Sequence, residues 1–331
     1  VGIIAGRWFT GFWLVIFSGG TMDAVTRLLQ GSIDLHIHPS PSLFPRRLDA
    51  VEAAEQAAQA GMRAIVIKSH HHTTAPELVP LKSHDLKNIP VQVFGGVALN
   101  SYVGGLNPYI VDMTLRMGGK IVWFPTISSE NHIKHHQAQP HMKFPSQVGR
   151  ELPDIPVKVL DAKGELLPEA RTILELIAEA DAILSSGHVS VPEALALLRG
   201  AKEAGVRKML INHPDFVIDA SEDDVKEFVR LGAYIEHSMC MYHPESTFHF
   251  WNFDRLKHWI ELVGPERTLL GSDLGQKNNP LPVEGLRYTV EKLLDIGIKE
   301  QEIEFMIRKN SEALLGLEEA AERRLPAKKG A

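Results

Sequence analysis

Eight short runs rich in β-branched residues recur along the chain, and most are followed by a stretch with helical periodicity. They are SIDLHIH (32–38), RAIVIK (63–68), VQVFGGVA (91–98), KIVWFPT (120–126), AILSSGH (182–188), RKMLINH (207–213), GAYIEH (232–237) and RTLLGSD (267–273). Between them lie amphipathic segments such as LDAVEAAEQAAQAG, EARTILELIAEA and SEDDVKEFVRLG, several of which stop at glycine. Alternation of this kind predicts a parallel sheet with helical crossovers. Eight such units over about 280 residues predict an α/β fold, the (β/α)8 TIM barrel. A doubly wound open sheet is the alternative, but no glycine-rich dinucleotide turn follows the first run. The interval 75–90 is less regular, and a long helical region is expected over roughly 283–323.

One connection is far longer than the rest. Residues 127–167 form an insertion after the fourth strand, with a predicted hairpin turn at Gly164 and His132, His135, His136 and His141. Long insertions in compact domains often cover a site, so a lid is one reading and a neutral surface loop another. The four histidines are expected mostly on the surface. At the other end, residues 1–21 read as an apolar N-terminal extension ahead of a barrel spanning 22–331. An ordered arm or a targeting segment are the other readings, since the apolar run is shorter than a membrane span.

Composition narrows the partners. With 35 basic and 41 acidic residues the net charge is −6, and no basic face is evident, so nucleic acid is not an expected partner. A single cysteine, Cys240, fits a reducing compartment, which makes a cytoplasmic location the expectation. A small-molecule substrate is expected, with no membrane partner; a homo-oligomer remains an open option.

The chemistry collects at the strand ends, where barrel enzymes place their active sites. There stand His36 and His38, Lys68 with His70 behind it, Thr126, His188, His213, His237 and Asp273. His36 and His38 share one strand face, so both can reach one ion. By the same alternation Asp34 shares that face, Leu35 and Ile37 face the helices, and Asp34 is expected to orient a neighbouring histidine. His188, His213 and Asp273 offer further nitrogen and oxygen donors of the type that zinc-like ions take. One divalent metal ion is expected, zinc first, with manganese or iron as alternatives. Lys68, His70, Arg46, Asn100 and Thr126 are candidate substrate contacts, with Arg46 and Arg47 a candidate anion clamp. His237 reads equally as a site residue or a buried structural one, and of His70-His71-His72 the middle ring is expected to face solvent.

With HxH on the first strand, His188 on the fifth, His213 on the sixth and Asp273 on the eighth, the chain resembles the amidohydrolase superfamily of metal-dependent barrel hydrolases. The phrases DLHIHPSPSLFPRR, KSHHHTTA, SSGHVS and GSDLGQ resemble a branch without assigned function. The resemblance implies a metal-activated water attacking an amide, lactone or ester carbonyl. In that scheme Asp273 both contacts the metal and accepts the water proton, while His213, and less strongly His237, polarises the substrate. A metal-dependent non-oxidative decarboxylase of an aromatic or unsaturated acid is the alternative. Many superfamily members carry a lysine at the end of strand four, where this chain has Pro125-Thr126. A second ion, held by Lys68, His70 or Glu130, is therefore a further option rather than the first expectation.

Overall fold

The computed structural model describes residues 22–139, 149 and 152–317. Residues 1–21 and His141 lie outside the described residues. The strands are β1 (Ile33–Ile37), β2 (Ala64–Ile67), β3 (Gln92–Phe94), β4 (Gly96–Ala98), β5 (Ile121–Trp123), β6 (Ile183–Ser185), β7 (Lys208–Asn212), β8 (Tyr234–Ser238) and β9 (Thr268–Gly271). All pair in parallel, as β1-β2-β3 and β4-β5-β6-β7-β8-β9. The third expected strand is split at Gly95: its first half pairs with β2, its second with β5. A Cβ on Gly95 would stand 2.4 Å from Thr74 Oγ1, so the chain can turn there only without a side chain. The ring closes between β9 and β1, where Asp273 N donates to His36 O (2.7 Å) and His38 N donates to Leu274 O (2.8 Å). Nine strand segments thus make the eight staves of a TIM barrel.

The helices are α1 (Ala24–Leu29), α2 (Ala50–Gln59), α3 (Ala75–Ser83), α4 (Pro108–Arg116), α5 (Glu130–Ala138), α6 (Pro168–Glu179), α7 (Val191–Ala204), α8 (Glu222–Leu231), α9 (Phe253–Val263), α10 (Pro282–Asp295), α11 (Glu300–Glu304) and α12 (Asn310–Leu315). Local chemistry starts and stops them. Asp49, Ser190 and Ser221 close capping boxes with the third residue of α2, α7 and α8, and Gly205 and Gly232 end α7 and α8 in the left-handed conformation. The irregular interval 75–90 contains α3. The long helix expected at 283–323 is broken: Gly297 (φ 86°) ends the first part, and a π-helical turn, Phe305–Lys309, joins α11 to α12. No described helix is long and apolar enough to cross a membrane.

The core is layered. Between sheet and helices, Ile65 and Ile67 pack with α2 and α10, while Val122, Leu184 and Ile211 pack with α6, α7 and α8. Inside the barrel lie Ile33, Leu35, Ala64, Val66, Ile121 and Leu269, with Leu314 and Leu315 of α12 beneath them. Arg63 ties that plug in place by donating to Leu317 O at 2.6 Å. The lower barrel is therefore filled mainly by apolar side chains, and Lys68, Asn212 and Glu236 stand above them.

One interior position departs from simple alternation. Leu35 was expected outside, yet it packs inside with Ile33. A register shift in β1 between Asp34 and Ile37 changes the phase, so His36 follows Leu35 into the barrel. Asp34 turns sideways instead: its Oδ1 accepts from the backbone N of His36 (2.9 Å) and of Ser272 (3.0 Å). It pins β1 to β9 and does not orient a histidine ring. Burial pushes its carboxyl up to about 6.

Candidate metal centre

His36, His38 and Asp273 converge where β1 meets the end of β9. His38 Nε2 is 3.0 Å from Asp273 Oδ1, and His36 Nε2 is 3.3 Å from the same atom. One donor atom from each residue lies within 4.8 Å of the others. Behind His36 stands Glu236, fully buried on β8, and His36 Nδ1–H donates to its Oε1 at 2.6 Å. A carboxylate can only accept here, so the bond fixes the ring with its Nε2 lone pair facing the pocket. Asn212 donates to the same oxygen at 2.7 Å. Glu236 and His36 are packed so closely over Gly271 that a Cβ there would meet Glu236 Cδ at 2.8 Å and His36 Cβ at 3.0 Å. The sequence reading missed Glu236; a carboxylate near the end of a strand run, next to His237, was the available signal.

The neighbouring imidazoles form a second rank. His213 lies 6.4 Å from His36 and 4.8 Å from His188, ring centre to ring centre. His188 Nδ1 and His132 Nδ1 are 2.8 Å apart, with ring planes only 22° from parallel. His132 comes from α5 in the insertion and is buried, not on the surface as expected. The capping of α5 explains it: Ser129 Oγ accepts from His132 N and donates to His188 O, so the first turn of α5 is pinned to the end of β6. His213 (φ 28°) and Asp273 (φ 53°) both sit in the left-handed region, a strained conformation often found at functional positions.

Lys68 is buried beneath this group. Its Nζ lies 3.0 Å from His36 Nε2 and 5.2 Å from the centre of the Trp123 ring. Burial pulls the ammonium down to about 8, although Asp273 and Glu236 oppose the shift. Lys68, His132, His188, His213, Asp273 and Gln276 line a pocket together with Phe216, Phe248, Met241 and Cys240.

The remaining candidates divide. His70 lines the pocket and stacks on His38 at 4.7 Å. Asn100 and Thr126 are fully buried and hold the rim together. Asn100 Oδ1 accepts from Thr126 N and Ser128 N, and Asn100 Nδ2 donates to His70 O. Neither is among the residues lining the pocket. His237 points the other way. Side chains alternate on β8, so Glu236 facing in turns His237 out toward Trp259 of α9, with ring centres 6.1 Å apart. Glu130 also stays away, held at the start of α5 by Lys134 (3.1 Å) and Lys158 (3.0 Å). Arg47 turns aside to donate to Asn279 O (2.8 Å) and approach Glu284, which breaks the expected Arg46–Arg47 clamp. His71 is half-buried against Phe44 and Tyr102 rather than facing solvent.

The buried histidines set an acid limit on stability. Burial pulls His213 down from 6.5 to about 4, and pulls His38, His70, His132 and His188 well below the ordinary value. Between those values the unfolded chain binds more protons than the folded one. Stability is therefore fully present above about pH 6.5 and is lost as pH falls toward about 4. For chelator-treated protein we expect the thermal midpoint to drop by roughly 5 °C or more from about pH 7 to about pH 5. Circular dichroism melts across that window check it, and a flat profile would mean these rings already reach solvent.

The family model of DUF6282 matches residues 31–236. The chain belongs to DUF6282, a family of unknown function. The span matched to DUF6282 carries His36, His38, Lys68, His188, His213 and Glu236, while Asp273 lies beyond it. No curated protein matches the chain significantly. Among solved structures, an amidohydrolase from Pseudomonas aeruginosa is similar at 12% identity and TM-score 0.56, covering 88% of this chain and 98% of that one. An organophosphorus hydrolase from Deinococcus radiodurans is similar at 13% identity and TM-score 0.54, covering 88% and 94%. A phosphotriesterase homology protein from Escherichia coli is similar at 14% identity and TM-score 0.51, covering 86% and 98%. At these identities the likeness is one of fold: this DUF6282 chain has the barrel of the amidohydrolase-type enzymes.

Proposed function

We propose that the protein is a metal-dependent hydrolase of a small carbonyl compound, an amide, lactone or ester, with zinc as its ion. The observation that carries this reading is the convergence of His36 and His38 on Asp273 with Glu236 braced behind His36. The donor set fits a zinc-type ion: two buried imidazole nitrogens, one carboxylate oxygen, and a second carboxylate fixing a ligand's tautomer. Burial keeps His38, His188 and His213 neutral, with lone pairs available. A divalent ion in such a site acts as a Lewis acid and lowers the pKa of coordinated water.

The chain's own residues do the rest. Asp273 Oδ1 is shared by two imidazoles, so Oδ2 is the atom that takes the proton from attacking water and returns it to the leaving group. In this reading His213, which lines the pocket and whose Nδ1 has no hydrogen-bond partner among the described residues, orients the substrate carbonyl. Lys68 and an ion compete for the His36 Nε2 lone pair, and the burial that favours an uncharged amine at Lys68 eases that competition. The structural neighbours named amidohydrolase and organophosphorus hydrolase support hydrolysis and do not favour decarboxylation.

Metal content per chain, measured by elemental analysis on wild type and on His36→Ala/His38→Ala, tests the reading. About one equivalent of zinc, lost in the double variant, supports it. Wild-type protein that neither carries nor takes up zinc, manganese or iron overturns it.

A further inference from the structure

Beside the candidate metal centre lies a cluster that the proposed reaction does not use. Arg46 Nε and Nη2 are buried and have no hydrogen-bond partner among the described residues, and the same is true of both ring nitrogens of His71. The two side chains flank one ring. Arg46 Cζ is 5.7 Å from the centre of Phe44, and the His71 ring is 4.7 Å from it, edge-on. Phe44 in turn meets His70 at 6.0 Å, edge-on, and Arg46 forms an antiparallel bridge with Gln276 of the pocket wall. The cluster therefore borders both the His36–His38–Asp273 group and the pocket.

Buried polar groups are almost always paired, and an orphaned guanidinium is among the costliest exceptions. No described carboxylate lies within ion-pair distance of Arg46. Asp273 is close enough to be felt as a charge, but the two form no salt bridge. Burial pulls even this guanidinium down to about 10. A planar fork of N–H donors matches a carboxylate in two-point fashion, and a neutral imidazole beside it adds one more donor. Phe44 and Tyr102, the latter 4.8 Å from His71, give the site aromatic walls suited to a flat or apolar body carrying the charge.

We propose that Arg46 and His71 form a carboxylate-binding subsite, so that the substrate is an anionic carbonyl compound whose carboxylate docks here while its reacting carbonyl lies over Asp273. The substrate's fate rests on the hydrolase reading; the binding of a carboxylate does not.

The test uses benzoate and its neutral isostere benzamide as probes, with calorimetric titration of the full chain after removal of metal by chelator. Without an ion, neither probe can be held by metal coordination. We expect benzoate to bind wild type at least about tenfold more tightly than benzamide, and Arg46→Gln to bring the two within about twofold. His71→Ala should remove a smaller part of the preference. If Arg46→Gln shifts the unfolding midpoint, Arg46→Lys decides, since it keeps the charge and loses the fork; it should retain only part of the preference. Equal binding of the two probes, or no saturable benzoate binding, overturns the proposal. A preference that survives Arg46→Gln also overturns it and moves the anion to Lys68. Inorganic phosphate binding more tightly than benzoate overturns the carboxylate assignment. Failure to load zinc would sink the hydrolase reading and leave this preference intact, so the two failures are distinguishable.

Discussion

Asp273→Asn should lower kcat by about a thousandfold or more on any lactone, ester or amide that the zinc-loaded wild type hydrolyses. The substitution preserves shape and removes both the negative charge and the proton acceptor. Asp273 is the only carboxylate among the described residues near both His36 Nε2 and His38 Nε2, at 3.3 and 3.0 Å. Although burial pushes its carboxyl up, the neighbouring His36 and His38 outweigh it and hold it well below the ordinary range, so it is ionised at neutral pH. An amide in its place can neither take a proton from water nor balance an ion's charge. Steady-state kinetics with metal content measured on the same samples separate the two losses. A fully loaded Asp273→Asn enzyme within about tenfold of wild type would remove Asp273 from the proton path.

Glu236→Gln should weaken zinc affinity by roughly 10- to 100-fold while the barrel stays folded. Glu236 touches no pocket space; it acts through His36, which it holds at 2.6 Å. Burial pushes its carboxyl up, but His36 and the Asn212 amide outweigh that and hold it below the ordinary range. The glutamine side chain fills the same volume and keeps one acceptor for His36, so packing over Gly271 survives. What is lost is the negative charge that makes the His36 Nε2 a stronger donor. A chelator competition titration reads the affinity directly, with the unfolding midpoint as the control. Unchanged affinity in Glu236→Gln would mean that His36 needs no brace and that the ion is held without it.

These two residues also mark the boundary of what the chain discloses before it folds. The alternation of strand runs and helical stretches follows from backbone periodicity: eight of the nine observed segments fall inside the expected runs, and β8 overruns its run by one residue, Ser238. The donors at the strand ends were legible too, because residue type is chemistry and a barrel gathers its strand ends at one mouth. His36, His38 and Asp273 needed nothing more than that to be found.

What tertiary structure alone decided was which face each side chain takes and who its neighbours are. Alternation fixes relative phase along a strand, but pairing fixes the absolute face, and a single bulge reverses it. That is why Leu35 lies inside, Asp34 clamps backbone, and Glu236 rather than His237 meets His36. His132 reaches His188 across 56 positions because Ser129 pins α5 to the end of β6, a contact with no local signature. Arg46 parted from Arg47 and came to lie, like His71, against Phe44 for the same reason. The kinds of atom available to the site are a property of the sequence. Their pairing, burial and charge arise only when distant segments exclude water from between them.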